Sequence, residues 1–300
     1  MDSVINIIES AYAGYASYLW KSITQPFFEG DLNYFYYLIL VSLAVWMLEL
    51  ILPWRKSQSA IRKDFWLDAF YMFFNFFIFN LLLFTALSDV SIHFMNSGLQ
   101  KLGIDSLLIY DFSNQALWLQ FIVFFLLSDF IQWGVHNLLH RIDFLWQFHK
   151  LHHSVKEMGF AAHLRYHFME TVVYNAFKYL GLILLFNFDI VNAFLIHAVT
   201  ILIGHLNHAN LGWSYGPLKY LLNNPKMHIW HHAKHLPESH PKGMNFGISL
   251  SLWDYLFGTV YMPHSGRDID LGFDNDGNYP SRFFQQLVHP FFKRTNEKGN

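Results

Sequence analysis

Four long apolar runs restrict this chain more than any other feature does. YFYYLILVSLAVWMLELIL covers residues 34–52 and is closed by Pro53 and Trp54. A second run covers 65–87, ALWLQFIVFFLLSDFIQWGV covers 116–135, and a longer stretch covers 171–204. The first three approach the roughly 20 residues that a helix needs to cross a hydrocarbon core. The fourth is interrupted by NFDI around Asp189 and reads as two short helices in a hairpin, spanning or re-entrant. None of the runs alternates with period two, which argues against a barrel. The expected fold is an all-α integral membrane protein with about four transmembrane helices.

Composition agrees with a bilayer as the solvent. The chain is 53% hydrophobic and only 14% charged, against about 25% charged in soluble domains. Its 32 phenylalanines exceed what a water-soluble core of this size would need. A net charge of −2 speaks against a nucleic-acid partner, which would ask for a basic stripe. The absence of cysteine excludes disulfides, thiolate metal sites, iron–sulfur clusters and cysteine nucleophiles. The N-terminus, MDSVINIIESAYAG, carries Asp2 and Glu9 where a secretory signal would be basic, and reads as an amphipathic segment at the membrane surface.

Loop charge gives the expected orientation. WRKSQSAIRK, between the first two runs, holds Arg55, Lys56, Arg62 and Lys63, whereas the loop before the third run has three aspartates against one lysine. The first loop is therefore expected to be cytoplasmic and the second exterior. Counting onward puts His136–His167, and the chain after His205, on the cytoplasmic side as a helical cap. The division expected is 1–115 for the N-terminal segment and first two spans, 116–264 for a catalytic domain, and 265–300 for a polar surface tail.

The 18 histidines are not scattered. HNLLH gives His136 and His140; HKLHH gives His149, His152 and His153; HLNH gives His205 and His208; HIWHH gives His228, His231 and His232. Residues three and four apart share a helix face, so each group can aim its imidazoles at one point. Ten imidazoles exceed the four that one tetrahedral zinc accepts, and about five per ion suits two neighbouring metals. Imidazole serves Zn, Cu, Fe or Ni, so ligand type does not choose the metal. A b-type haem would want histidine pairs well inside the spans. A metal transporter would want carboxylates and histidines through the membrane interior, where only Asp68, Asp129 and His197 are available. Metal-ligating histidines also need outer partners; Asp129, seven residues before His136, is the acid on about the same face, with Glu170 and Asp254 as further candidates. Residues 141–148 read as the turn between the first two boxes. His93, His235, His240, His264 and His289 read as solvated surface, and His197 as a satisfied interior group.

The motifs HNLLH, HKLHH and HIWHH together resemble those of the fatty acid hydroxylase and sterol desaturase superfamily of integral-membrane di-iron oxygenases. LWQFHKLHHS (145–154) is similar to that family's LW-x-FH-x-x-HHS, RYHFME (165–170) to its R-x-HP-x-E, and NFGISLSLWDYLFGTVY (245–261) to its closing motif. Phe168 stands where the family has proline. The resemblance covers roughly residues 115–262. It implies two non-haem irons, which zinc can replace on purification, and O2 as co-substrate. It also implies electrons from a separate cytochrome b5-like, ferredoxin-like or other reductase system. The implied reaction is hydroxylation or desaturation of a C–H bond in a fatty acyl lipid or sterol. An alkylglycerol-type ether-lipid monooxygenase and a non-enzymatic membrane metal-binding or transport protein are the alternatives. The histidines of the HNLLH, HKLHH and HIWHH boxes are the implied catalytic centre, with His205 and His208 as further ligands and Asp129, His167, Glu170, Asn245 and Asp254 as outer partners. The membrane implied is a bacterial inner membrane or the endoplasmic reticulum.

Overall fold

The computed structural model describes residues 4–25 and 33–292. Asp2 and the last eight residues of the expected tail lie outside them. Within the described residues the chain is helical, with two isolated β-bridges and no strand. Twelve α-helices follow one another: α1 (Val4–Thr24), α2 (Tyr34–Ile51), α3 (Phe65–Phe73), α4 (Thr85–Lys101), α5 (Leu117–Arg141), α6 (Asp143–His153), α7 (Phe168–Tyr174), α8 (Leu182–Phe186), α9 (Ile190–His208), α10 (Pro225–His231), α11 (Leu252–Phe257) and α12 (Phe283–Phe292). Wide π-helical turns at Phe74–Ile78 and Asn80–Phe84 extend α3, and another at Asn175–Gly181 joins α7 to α8.

Five of the resulting rods are long and apolar enough to cross a membrane: Tyr34–Ile51, Phe65–Leu83, Leu117–Arg141, Phe168–Phe186 and Ile190–His208. The protein is a multi-pass membrane protein. Only 22–44% of each apolar window is buried, so most of each rod presents side chains such as Leu40, Met47, Ile122 and Phe194 outward. With lipid as the surrounding medium such faces need no cover.

The interrupted fourth run resolves into two helices of 19 residues each, not two short ones. Asn187 takes a left-handed conformation and Asp189 caps α9 by accepting the amide of Val191. The backbone at Ile109 and Phe112 donates to Leu185 and Phe186, which fastens this turn to the loop before α5. The region after the second run is also more ordered than a loop, because α4 continues it and lies against α1.

At the other end of the rods, short helices and loops form a layer. The basic loop belongs to it: the amide of Trp54 donates to Asn210 O, and Gln58 Nε2 to Met158 O. Beneath it Val155, Met158, Ile229, Trp230, Met244 and Leu271 make an apolar core. Nor does the segment after residue 264 stand free. Phe283 of α12 packs on Phe70 and Tyr71, and Tyr71 donates its hydroxyl proton to Gln286 Oε1 at 3.0 Å.

Candidate metal centre

Each histidine helix is set by a local signal. Helix α5 runs past the expected end at 135 to Arg141, so His136 and His140 extend the third span by its last turn. The turn that follows is a single residue, Ile142, rather than residues 141–148, and α6 begins at once with Asp143 in its first turn. Helix α10 starts where Asn224 accepts the amide of Met227 and Pro225 supplies the first helical position.

These placements gather nine imidazoles into two groups. His136, His140, His149, His153 and His231 form one; His152, His208, His228 and His232 form the other, with the ligand atoms of each group within 4.8 Å of one another. The rings of His153 and His232 lie 4.5 Å apart across the boundary, so the groups adjoin. The two HX2HH boxes do not each aim at one point. Side chains four apart stay together (His149 with His153, His228 with His232), while the remaining member of each box, His152 or His231, turns to the other group. Adjacent helical residues diverge by about 100°, so His152 and His153 cannot share a point.

The tenth candidate, His205, lies outside both groups. Its Nε2 is 3.1 Å from Ser42 Oγ and its Nδ1 is 3.0 Å from His163 Nδ1, which occupies both ring nitrogens. His167 is also outside: its Nδ1 accepts the amide of Met169 as the cap of α7, and its Nε2–H donates to Leu287 O. Phe168 is then the first helical residue, the position at which proline is equally at home.

The outer partners fix which nitrogen faces inward. Nδ1–H donates to Phe246 O from His136 at 2.7 Å, to Met244 O from His231 at 2.8 Å, to Arg165 O from His152 at 3.1 Å and to Gly204 O from His208 at 2.8 Å. His149 donates to Glu170 Oε2 at 2.9 Å. Each of these rings, when neutral, then has a bare lone pair on Nε2. Yet Nε2 of His136 faces Nε2 of His149 at 3.1 Å, and Nε2 of His152 faces Nε2 of His208 at 3.2 Å. Two lone pairs at that distance with no proton between them call for a cation. Nε2 of His140, His153 and His231 are buried without a hydrogen-bond partner as well. Burial, then neighbouring imidazoles, hold His152, His153, His228, His231 and His232 well below the ordinary histidine range, and burial pushes His149 down to about 3. Neutral rings are the form that binds metal. The donor set fits two transition-metal ions, and five imidazoles in the first group are more than a tetrahedral zinc site takes.

Asp129 does not support His136. Its carboxylate accepts from the amides of Ser249 and Leu250 and from Trp253 Nε1. Asp254 accepts from Trp133 Nε1, Thr259 Oγ1 and the amides of Phe246 and Gly247. The two acids thus tie down the 244–251 loop, whose carbonyls at Met244 and Phe246 orient His231 and His136. Asn245 takes a left-handed backbone conformation between them and bonds Met227 O and Tyr261 O. At Gly247 a Cβ would lie 2.2 Å from Leu250 O, so only glycine fits. Arg165, whose carbonyl orients His152, is held by Asp64 and Asp68 at 3.1 and 3.0 Å. These carbonyl partners carry no sequence signal, because any residue has one.

A cavity of about 750 Å³ leads away from the metal groups. His136, His149, His152 and His208 line one end, Tyr34, Asn75, Phe76 and Tyr179 its middle, and Ser91, Ile190 and Phe194 its far parts. His197 sits between the hydroxyls of Tyr34 and Tyr179 at 2.9 and 3.1 Å, a satisfied interior group as expected.

Residues 121–259, which carry all nine gathered histidines, match the model of the fatty acid hydroxylase family. That match covers somewhat under half of the chain, and across it the protein is similar to the fatty acid hydroxylase family. It is 34% identical over 175 residues to an ornithine lipid hydroxylase of Rhizobium tropici, covering 58% of this chain and 51% of the relative. Alkylglycerol monooxygenases of Xenopus tropicalis and Homo sapiens are 25% and 27% identical, over 55% and 45% of this chain and 35% and 29% of their own. The chain therefore spans about half the length of the first relative and about a third of the others. No solved structure matches. The matched segment contains the nine gathered histidines and also the carbonyls of Arg165, Gly204, Met244 and Phe246 that orient four of them.

Proposed function

We propose that the protein is an O2-dependent oxidoreductase that hydroxylates a C–H bond of a membrane lipid, using two non-haem irons held by the nine gathered histidines. The observation that carries this reading is that both imidazole groups, through His136 and His149 and through His152 and His208, line one mostly apolar cavity of about 750 Å³ among the spans. When bound, the two irons would supply the means to activate O2 for attack on an unactivated C–H bond. His136, His140, His149, His153 and His231 would hold one, and His152, His208, His228 and His232 the other. The chain's own part is to orient and exclude. Five Nδ1–H donors locked on carbonyls and on Glu170 keep Nε2 aimed inward, since outer partners set ring orientation and basicity. The apolar walls seat the acyl chain and keep water from the reacting carbon.

The histidine end lies with the basic 52–64 loop, and the loop-charge bias supports a cytoplasmic position for both, where a separate donor would deliver electrons. The similarity to alkylglycerol monooxygenases favours a second reading, cleavage of an ether lipid after hydroxylation beside the ether oxygen.

The test is to load purified protein with iron and supply 18O2, a reductant and a panel of acyl and ether lipids. Two irons per chain and one labelled oxygen in the lipid product are expected. An aldehyde from an ether lipid alone would select the second reading, and iron-loaded protein that labels no lipid would overturn both.

A further inference from the structure

The cavity carries a second polar cluster, which begins one helical turn before His136 on α5 and includes none of the gathered histidines. Lys178 lies near the middle of the Phe168–Phe186 rod, is only 4% exposed, and lines the cavity. Its ammonium donates to Gln132 Oε1 across from α5. Among the described residues no carboxylate stands within ion-pair distance of it. Asp129, whose field reaches Lys178, spends both oxygens on the 249–253 loop. An ammonium has three donors, and Gln132 takes one. Tyr179, the next residue, lines the same cavity with its hydroxyl on His197.

The backbone is irregular at the same place. Lys178 and Tyr179 fall inside the π-helical turn Asn175–Gly181, and the π-helical turn at Phe74–Ile78 supplies Asn75 to the opposite wall. Such widened turns concentrate at functional sites, and an intramembrane lysine that has Gln132 and, at 5.1 Å, the Tyr179 ring beside it but no carboxylate points to a substrate or ion path. A wholly apolar chain lying here would cover an incompletely bonded cation, which burial penalises. A ligand oxygen bearing negative charge would satisfy it.

We propose that Lys178, assisted by Gln132, anchors the acidic group of a lipid, a carboxylate or a phosphate, while the rest of the cavity leads its chain to the histidine end. This rests on the cavity being the substrate channel of the proposed hydroxylase. Lys178 is eight positions along its rod from Glu170, about 12 Å at the helical rise, so the anchor and the metal ligands can be probed separately.

The experiment measures binding of radiolabelled oleate, oleyl alcohol and phosphatidic acid to the full chain in phosphatidylcholine nanodiscs, without reductant. Lys178→Met is expected to weaken one or both acids about tenfold or more, the scale of a lost charge-assisted hydrogen bond, and to leave oleyl alcohol within about twofold. Lys178→Arg is expected to keep most of the acid binding. Loss for oleate alone names a carboxylate, and loss for phosphatidic acid alone names a phosphate. Undiminished binding of both acids, or an equal loss for the alcohol, would overturn the anchor. Should Lys178→Met fail to fold, as read by iron content and melting, Gln132→Leu gives the same contrast between acid and alcohol on a smaller scale. Lys178-dependent acid binding by a protein that never oxygenates a lipid would remove the hydroxylase reading and leave the anchor. Unchanged turnover of acidic lipids by Lys178→Met would do the reverse.

Discussion

His205 and His208 stand three apart on one helix, and only their surroundings tell them apart. His208 gives Nδ1–H to Gly204 O and turns Nε2 into the four-histidine group, whereas His205 has Ser42 and His163 on its two nitrogens. His208→Ala should therefore strip the metal of the four-histidine group, and His205→Ala should keep both metals. Metal analysis of the two purified variants checks this; equal loss in both would put His205 back among the ligands. Residue spacing could not have made the distinction, because residues three and four apart look alike as neighbours on a helix face. The same limit hid the division of the HX2HH boxes. HKLHH and HIWHH announce metal binding, but which imidazole goes to which ion depends on where the facing helices lie. Asp129 shows the converse: seven positions from His136 it shares a face, yet the amides of the 249–250 loop claim its carboxylate. Lys178 did leave a trace, a single lysine in the apolar run that begins at 171.

At the scale of elements, helices α5, α6, α9 and α10 with its cap carry the gathered histidines, but the irregular 244–251 loop before α11 orients two of them. Its anchor is Asp254, buried with two amides, one indole and one hydroxyl donating to it. Asp254→Ala leaves these donors unpaired, at a cost on the order of 3 kcal/mol. The effect on metal should be lopsided. Met244 O and Phe246 O serve His231 and His136, both in the five-histidine group, while the four-histidine group keeps Gly204 O and Arg165 O. Metal titration of Asp254→Ala should show one site weakened about 10–100-fold and the other near its original affinity; two equally weakened sites would show that the loop supports the whole centre. The helices were legible because apolar length and caps announce them. The loop's function was not, since it acts through backbone carbonyls and through one glycine, Gly247, squeezed against Leu250 O.

For the molecule as a whole, the open issue in the sequence was whether the 171–204 stretch crosses the membrane or dips into it. Its turn is bonded by Leu185 and Phe186 to the 109–112 segment, at the end of the rods away from the histidines. The two rods of 19 residues are each about 28 Å long at 1.5 Å per residue, close to the hydrocarbon thickness. Hydropathy alone shows apolar length and not which ends meet, so the hairpin's reach waited on those backbone bonds. If both rods cross, five crossings set α1 and α4 on one side and the basic loop with the histidine groups on the other. The chain has no cysteine, which makes single-cysteine labelling with a membrane-impermeant maleimide clean. Ser57→Cys and Lys242→Cys, both exposed at the histidine end, should label from one face, and Lys101→Cys and Ile190→Cys from the opposite face. Labelling of Ile190→Cys from the Ser57 side would mean a re-entrant hairpin. The far part of the cavity, which Ile190 and Phe194 line, would then have to reach the same aqueous side as the metal groups, and a lipid could no longer enter from the opposite half of the bilayer.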